Sequence, residues 1–213
     1  MVTRVYGQYC GFARALELVG ERWALLIIRD LFVGPRRFSD LQRGLPKIPS
    51  NILAARLKEL EDAGVIVRRT QLRPPGGVVY ELTADGRDLE DVVLALGRWG
   101  AKRLGEPRPE EIVTPDSMAI ALRTIFRPDA AADDTIAFEL HVGDIVVNAR
   151  VDNGTVRVGR GAVASPDLVI ETGPAIKALL AGEMTPGQAL EIGAVHVRGD
   201  RALLDRFVAL FRI

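Results

Sequence analysis

Two neighbouring segments in the first third of the chain carry side chains suited to contacting a nucleic acid. The first segment begins at Arg36, and the second runs from Pro49 to Leu60. The amide of Asn51 matches the donor and acceptor pair of an adenine edge, and the hydroxyl of Ser50 can donate or accept. Because guanidinium and ammonium groups bind phosphate oxygens, the nearby cations are suited to the DNA backbone.

The candidate DNA contacts comprise base readers, phosphate-binding cations and arginines on a hairpin. They are Arg36, Arg37, Ser39, Lys47, Ser50, Asn51, Ala54, Ala55, Arg56, Lys58, Arg68, Arg69 and Arg73. The three hairpin arginines can follow the backbone or enter the minor groove. The alternative is that these cations are solvated charges on a bundle that contacts proteins, and Arg56 can equally be structural.

The elements that would hold these side chains form a helix-turn-helix. Ser39 and Gln42 have the spacing of a capping box, which predicts a short helix. The next helix is predicted to begin near Pro49 and to end at Gly64, with its apolar residues on one face. The polar residues of its first turn would then enter the major groove.

A β-hairpin is predicted next to this motif. Segments 65–72 and 78–82 are rich in β-branched residues and flank the turn-forming residues 73–77. A long helix is predicted from Thr83, and two helices, over 12–19 and 23–32, precede the motif. Helix-turn-helix and basic hairpin together predict a winged helix.

The second half of the chain predicts an α+β domain with an antiparallel sheet and helices on one face. A helix opens at Thr114, and apolar residues alternate over 136–142 and 145–151. Asn153 and Gly154 are typical of a tight hairpin turn. The remaining predicted elements are a strand at 167–171, helices that start at Pro174 and Thr185, a strand at 195–198 and a helix after Asp200.

Composition places a domain boundary near the middle of the chain. Residues 105–111 contain two prolines and several charges, which is typical of a linker. We therefore expect a winged helix-turn-helix domain at 1–105, a linker at 106–115 and a second domain at 116–213. Residues 1–108 hold 18 Lys and Arg against 13 Asp and Glu, whereas 109–213 hold 10 against 15. This asymmetry suits a chain whose first half alone meets a polyanion, although chance variation of surface charge is the alternative.

The composition argues against several classes of protein. With 213 residues, 48% apolar and 26% charged, the chain is typical of a globular protein. It has no apolar run of about 20 residues and no signal-peptide core near its start, so we expect a cytoplasmic, nucleoid-associated protein without membrane contact. The single cysteine and the separated His141 and His196 offer no metal cluster. No nucleophile motif or phosphate-binding loop is present, so we expect no enzyme and no cofactor.

The first half resembles the HxlR-type winged-helix regulators, which are MarR-like, over residues 9–104. The motifs that carry the resemblance are residues 10–23, residues 34–41, Leu53-x-x-Arg56-Leu57-x-x-Leu60 and Tyr80-x-Leu82-Thr83-x-x-Gly86. The resemblance implies a homodimer joined through the first and last helices of the domain, bound to a pseudo-palindromic operator on double-stranded DNA. Pro49 stands where such proteins often have a capping Ser or Thr, so Ser50 is expected to take over the cap.

Cys10 lies where these regulators often have a thiol that senses electrophiles or oxidants. A thiolate near a basic residue such as Arg14 is reactive, which makes Cys10 a candidate redox sensor. The alternative is a small, buried apolar side chain at the start of a helix.

The second half resembles the sterol carrier protein domain. The resemblance rests on the alternating strands of 136–158 and on residues 166–170, 178–182 and 193–200, together with the last apolar helix. It implies a lipid or another apolar ligand between sheet and helices. The candidate pocket residues are Phe126, Phe138, Met184, Phe207 and Phe211. These residues can instead form a filled core, and the domain can instead bind nothing and only dimerise.

Together these patterns predict a one-component transcriptional regulator, in particular a repressor, whose second domain senses an apolar effector. The alternative is a lipid or acyl carrier, or a protein-docking module, without specific DNA binding. Salt dependence of DNA binding distinguishes the two, because a protein that binds phosphates releases counterions.

Overall fold

The computed structural model describes residues 5–71, 76–105 and 107–213. Two compact units divide the chain, Met1–Val93 and Leu94–Ile213. The predicted linker at 106–115 lies within the second unit, and the proposed domain boundaries remain predictions. Among the described residues, no helix combines the length and the apolar character needed to cross a bilayer.

The first unit is mainly helical and carries one β-hairpin. Its elements in chain order are α1 (Gly11–Val19), α2 (Ala24–Phe32), α3 (Phe38–Gly44), α4 (Ser50–Asp62), β1 (Ile66–Gln71), β2 (Gly77–Leu82), α5 (Ala84–Arg87) and the start of α6 (Glu90–Ala101). The predicted order of two helices, helix-turn-helix, hairpin and closing helix is confirmed, and this is the architecture of a winged helix.

The core of this unit follows from apolar residues at helical spacing. Ile27 and Ile28 on α2 are completely buried, as is Leu53 on α4. Leu57 and Leu60 continue the same face of α4 at intervals of three and four residues and are each 1% exposed. Burial of such side chains stabilises the fold by about 1.5–3 kcal/mol each, so α4 is held firmly by one face and presents the other.

The last helix of this unit departs from the prediction of one long helix from Thr83. The chain instead forms the single turn α5, capped by Thr83, whose Oγ1 accepts a hydrogen bond from Gly86 N at 3.0 Å. A Cβ at Gly86 would lie 2.0 Å from the Val65 carbonyl oxygen, so only glycine permits this approach. Because this contact joins residues 21 positions apart, the local sequence pattern could not predict it. The chain then turns at Asp88 and begins α6.

The second unit is a five-stranded sheet with helices. Its further elements are α7 (Pro115–Ile125), a 3₁₀ turn (Pro128–Ala131), β3 (Thr135–Val142), β4 (Ile145–Asp152), β5 (Thr155–Arg160), β6 (Leu168–Thr172), α8 (Ala175–Ala181), α9 (Pro186–Glu191), β7 (Val195–Gly199) and α10 (Ala202–Leu210). The predicted cap at Thr114 is confirmed, since its Oγ1 accepts from Ser117 N at 3.1 Å. The tight turn is also confirmed, with φ of 44° at Asn153 and 76° at Gly154.

The sheet is mixed, so the prediction of a wholly antiparallel sheet is wrong. The strand order is β5-β4-β3-β6-β7, and β6 runs parallel to β3. Residues 161–167, between β5 and β6, carry the chain back across the sheet to the other side of β3. Alternation of apolar residues gives the face that a strand buries but not its direction, so the sequence could not reveal the crossover.

One face of this sheet is apolar and the other is polar. Phe138, Leu140 and Ile170 lie on the apolar face and are at most 1% exposed. On the opposite face, Glu139 accepts a hydrogen bond from Val163 N in the crossover at 2.8 Å. The polar face is therefore partly covered by the connection that makes the sheet mixed.

Candidate nucleic-acid interface

The exposed face of α4 is the feature best suited to meeting DNA. Ser50, Asn51, Ala54, Ala55 and Lys58 are all exposed, on the side of the helix away from its buried leucines. The predicted division of this helix into an apolar and an outward face is confirmed. The outward face combines an amide and a hydroxyl on its first turn with two small alanines, so a flat surface can approach the backbone closely.

The start of α4 differs from the prediction that Ser50 takes over the cap. Pro49 occupies the N-cap position, with φ −64° and ψ 143°, and Ser50 is the first helical residue. Pro49 has no side chain that can accept a hydrogen bond, and no side-chain cap bond forms there. The hydroxyl of Ser50 and the first N–H groups of the helix consequently remain available to an external acceptor.

Lys47 and Lys58 are exposed cations at the two ends of this region. The Nζ of Lys58 lies 3.1 Å from an Asp62 carboxylate oxygen one helical turn away. Such a surface pair is worth less than about 1 kcal/mol, so a phosphate can displace the carboxylate. Both lysine side chains are therefore accessible to an external group.

Arg56 is not placed as an external cation. Its side chain is 15% exposed and forms ion pairs with Glu59 on α4 and, at 3.4 Å, with Glu21 between α1 and α2. These contacts tie α4 to the connection between the first two helices. This geometry favours a structural role for Arg56 over a contact with DNA.

The two arginines at the start of the first segment are also engaged within the chain. Arg36 is 5% exposed, and its Nη1 donates to the Pro35 carbonyl at 2.9 Å. Arg37 precedes α3, and its Nη2 donates to the Gly76 carbonyl. Burial of Arg36 argues against its predicted contact with a phosphate.

The predicted capping box of α3 is also displaced. The helix begins at Phe38, and the backbone N–H of Arg37 donates to the Asp40 carboxylate at 3.1 Å. Arg37 therefore stands at the N-cap position predicted for Ser39, and Asp40 accepts from the N-cap N–H in place of Gln42. Ser39 is exposed on the first turn of α3.

The wing, defined as β1 and β2 with the residues between them, carries the remaining predicted contacts. Arg68 and Arg69 are exposed on β1, and Arg69 forms an ion pair with Glu81 on β2. Arg73 lies outside the described residues. The two described arginines thus give the wing a basic first strand.

Cys10 is exposed immediately before α1. Hydrogen bonds from the backbone N–H groups of Ala13 and Phe12 lower the pKa of its thiol below the usual range. The guanidinium of Arg14, expected to have this effect, instead bonds Glu17 at 2.9 Å. The pKa of the Cys10 thiol is therefore lowered by the backbone at the start of α1 and not by Arg14.

The candidate pocket residues of the second unit mostly contact one another. Phe207 lies 5.2 Å from Phe138 and 4.9 Å from Phe211 between ring centroids, and all three are at most 1% exposed. Phe126 is half-buried, 5.5 Å from Phe211, and Met184 is also half-buried. This arrangement favours the filled-core alternative, while the ligand pocket stays a prediction.

Large apolar side chains outside the two cores form a further feature of the molecule. Tyr9 and Phe12, at the start of α1, are exposed, Phe12 by 75%. Leu89, just before α6, and Val93 on α6 face the core of the first unit, whereas Val92, Leu96 and Trp99 on α6 are exposed by 49–57%. All five residues have the spacing of one helical side, but only Leu89 and Val93 pack against the core.

The described part of the chain contains no group of three or more His, Cys, Asp or Glu arranged to hold a metal ion. His141 instead pairs with a carboxylate, its Nε2 lying 2.7 Å from Glu139 Oε1.

Comparison with known proteins matches the first half of the chain. The family profile described as HxlR-like helix-turn-helix matches residues 18–107. An uncharacterised HTH-type transcriptional regulator of Mycobacterium tuberculosis is 47% identical over 97 residues, which are 46% of this chain and 60% of that protein. The HTH-type transcriptional regulator YkvN of Bacillus subtilis is 33% identical over 113 residues, which are 52% of this chain and 96% of that protein.

The chain thus spans about three fifths of the Mycobacterium relative and nearly all of YkvN. Among solved structures, the redox regulator HypR in its oxidised form is 32% identical, with a TM-score of 0.42, and the match covers 44% of this chain and 96% of that one. The reduced form of the transcriptional regulator YodB from B. subtilis is 33% identical, with a TM-score of 0.40 and coverage of 47% and 100%.

Proposed function

This chain belongs to the HxlR-like helix-turn-helix family, and we propose that it is a dimeric, DNA-binding regulator of transcription. The observation that carries the proposal is the outward face of α4, whose polar first turn and small residues project from a helix anchored by its opposite side. A helix held in this way can enter the major groove without losing its packing.

Base recognition would come from the first turn of α4. The amide of Asn51 can accept a hydrogen bond from N6–H₂ of adenine and donate one to N7, and Ser50 can contact either type of group. Ala54 and Ala55 would allow close approach and apolar contact with a thymine methyl group. We therefore assign sequence preference to these four positions.

Affinity would come from the exposed cations around that face. Lys47 and Lys58 flank the helix, and Arg68 and Arg69 extend the charge onto the wing. Phosphate contacts fix the register of the protein without reading sequence, and they make binding fall steeply as salt rises. Arg36 and Arg56 would bind no phosphate, because their side chains make contacts within the chain.

Dimerisation would use the exposed apolar side chains of α1 and α6. Phe12 on the first helix and Val92, Leu96 and Trp99 on the second would lose water-exposed apolar surface against a second copy. A twofold dimer presents two reading helices, so its operator would be an inverted repeat with half-sites about one helical turn apart.

The second unit would sense an apolar effector between its sheet and its helices. The clustered phenylalanines supply an apolar environment, but they fill the space, so a ligand would have to displace at least one ring. A ligand that prefers one of two states would shift their populations, and DNA would change ligand affinity reciprocally. Release of DNA on binding would make the protein a repressor.

Cys10 supports a second kind of signal. The thiol of Cys10 is exposed, and hydrogen bonds from backbone N–H groups lower its pKa, which favours the nucleophilic thiolate form. Replacing Cys10 by Ser should abolish any response of DNA binding to an oxidant while leaving binding itself unchanged. An unchanged oxidant response in that variant would refute the assignment.

Selection of genomic fragments by the full chain tests the proposed function. The proposal predicts enrichment of an inverted repeat. If no fragment is enriched at low salt, the carrier or docking alternative replaces the regulator, and saturable binding of a fluorescent fatty acid by the same protein would then identify a carrier.

A further inference from the structure

Residues 36 and 37 join the helix-turn-helix to the wing at two points. The backbone N–H of Arg36 donates to the Tyr80 carbonyl at 3.0 Å, and Tyr80 N–H donates to the Arg36 carbonyl at 2.8 Å. This pair adds a third, one-residue strand beside β2. Four residues earlier in the chain, the Gly76 carbonyl accepts from the guanidinium of Arg37.

The second of these points brings the guanidinium against the backbone at the start of β2. A Cβ at Gly77 would lie 3.9 Å from Arg37 Cζ, an ordinary van der Waals distance, so the guanidinium packs directly beside the backbone of Gly77. Gly77 has φ +117°, a conformation that L side chains rarely adopt. The backbone of β2 is therefore held at Gly76 and at Tyr80, a span of about 13 Å along an extended strand.

Arg37 is itself fixed to the recognition half of the domain. Its backbone N–H donates to the Asp40 carboxylate on the first turn of α3, and its carbonyl accepts from Leu41 N at 3.1 Å. α3 in turn leads into α4 through residues 45–49. Arg37 therefore contacts the wing at Gly76 and the helix-turn-helix at α3, in addition to the direct connection from α4 into β1.

From this geometry we propose that Arg37 is a positioning residue that sets the orientation of the wing, rather than a phosphate contact. The proposal rests on the proposed function, because the wing matters here as a DNA-binding element. Loss of the guanidinium would free the start of β2 while Arg36 and Tyr80 still hold its middle. In the free protein, the wing would then hold the orientation in which Arg68 and Arg69 reach DNA only in a fraction of the population. Binding would weaken by that fraction, whereas the bound complex would keep the same phosphate contacts.

Two variants of the full chain separate positioning from phosphate binding. Arg37→Gln removes the charge, and Arg37→Lys keeps a charged donor without the planar fork. The proposal expects Arg37→Gln to weaken operator binding by about tenfold, the size of one charge-assisted hydrogen bond, with an unchanged salt slope. Arg37→Lys should bind the operator more tightly than Arg37→Gln and more weakly than the unaltered chain.

Lys47→Ala is the matched control for a phosphate contact. It should reduce the slope of log K against log salt by about 0.9 for each protomer, or about 1.8 for a dimer on both half-sites. A similar reduction in Arg37→Gln would overturn the proposal, since a positioning residue neutralises no phosphate.

Hydrogen exchange in the absence of DNA gives a second readout. Arg37→Gln should speed the exchange of backbone amides in peptides covering residues 76–82 by about tenfold, because the clamp, which is the hydrogen bond from the Arg37 guanidinium to the Gly76 carbonyl, exists in the free protein. Peptides covering α4 should be unaffected. Unchanged exchange at 76–82 would refute the clamp. Failure of the unaltered chain to bind DNA would count against the proposed function and leave the exchange result to decide the clamp.

Discussion

Replacement of Phe207 by alanine should cost the second unit about 5 kcal/mol of unfolding free energy if its apolar centre is filled. The ring is fully buried and contacts Phe138 and Phe211. Removing about 100 Å² of buried apolar surface costs about 2.5 kcal/mol at 25 cal/mol per Å². A rigid cavity of about 100 Å³ adds about 2.4 kcal/mol, and partial collapse would lower the sum towards about 3 kcal/mol.

A pocket that already existed beside Phe207 would make the loss of unfolding free energy in Phe207→Ala smaller. The cavity contribution would then be present before the substitution, so that only the transfer contribution of about 2.5 kcal/mol would be lost. The size of the effect therefore distinguishes a filled core from a preformed ligand site. A filled core also predicts that the variant, but not the unaltered chain, binds a small apolar probe such as benzene.

The assay must report the second unit separately, because a chain of two units need not unfold in one step. Urea titration followed by hydrogen exchange of peptides from β3 and β6 meets this need. Ile192→Ala is the matched control, since Ile192 is 67% exposed in the same unit and its loss should change stability by less than about 0.5 kcal/mol. A cost near 2.5 kcal/mol for Phe207→Ala, with probe binding by the unaltered chain, would refute the filled core.

Four further predictions concern other parts of the account. Asn51→Ala should relax specificity at one base pair of each half-site, by about 1–3 kcal/mol, in binding to a panel of single-base operator variants; unchanged specificity would exclude the adenine contact. Arg56→Ala should lower the urea midpoint of the first unit and leave the salt slope of DNA binding unchanged, whereas a slope reduced as in a phosphate-contact variant would return Arg56 to the interface. Trp99→Glu should convert a dimer to monomers in sedimentation, and a persistent dimer would remove α6 from the subunit contact. Burial raises the pKa of Glu139, but hydrogen bonds from His141 and from Val163 N–H outweigh it, so the pKa is lowered in the folded chain. Glu139 should therefore contribute stability above the unfolded pKa near 4.5, and this stability is lost as pH falls through the folded pKa. In Glu139→Gln, the urea midpoint of the second unit should depend less on pH in that acid range, and an unchanged pH dependence would contradict this role.

Local patterns predicted those parts of the structure whose cause is local. The outward face of α4 follows from the spacing of Leu53, Leu57 and Leu60, since a helix must bury its apolar side. The hairpin turn follows from Asn153 and Gly154, which tolerate positive φ. In both cases a few consecutive residues contain the whole physical reason.

The errors share a different cause, namely contacts between residues far apart in the chain. Arg37 reaches Gly76 and Arg56 reaches Glu21, over 39 and 35 positions, so charge alone could not show that these cations are engaged. The parallel pairing of β3 and β6 likewise depends on the path of a crossover. A basic residue in a DNA-binding pattern can thus serve a contact within the fold instead of binding a phosphate.

The salt dependence of operator binding tests the central claim most directly. The full chain would be titrated onto its selected operator at several salt concentrations, and log K plotted against log salt. With Lys47, Lys58, Arg68 and Arg69 exposed on each protomer, the account predicts a steep negative slope, up to about −7 for eight phosphate contacts in a dimer. A slope near zero, or equal affinity for unrelated sequences, would contradict a regulator that reads DNA through α4.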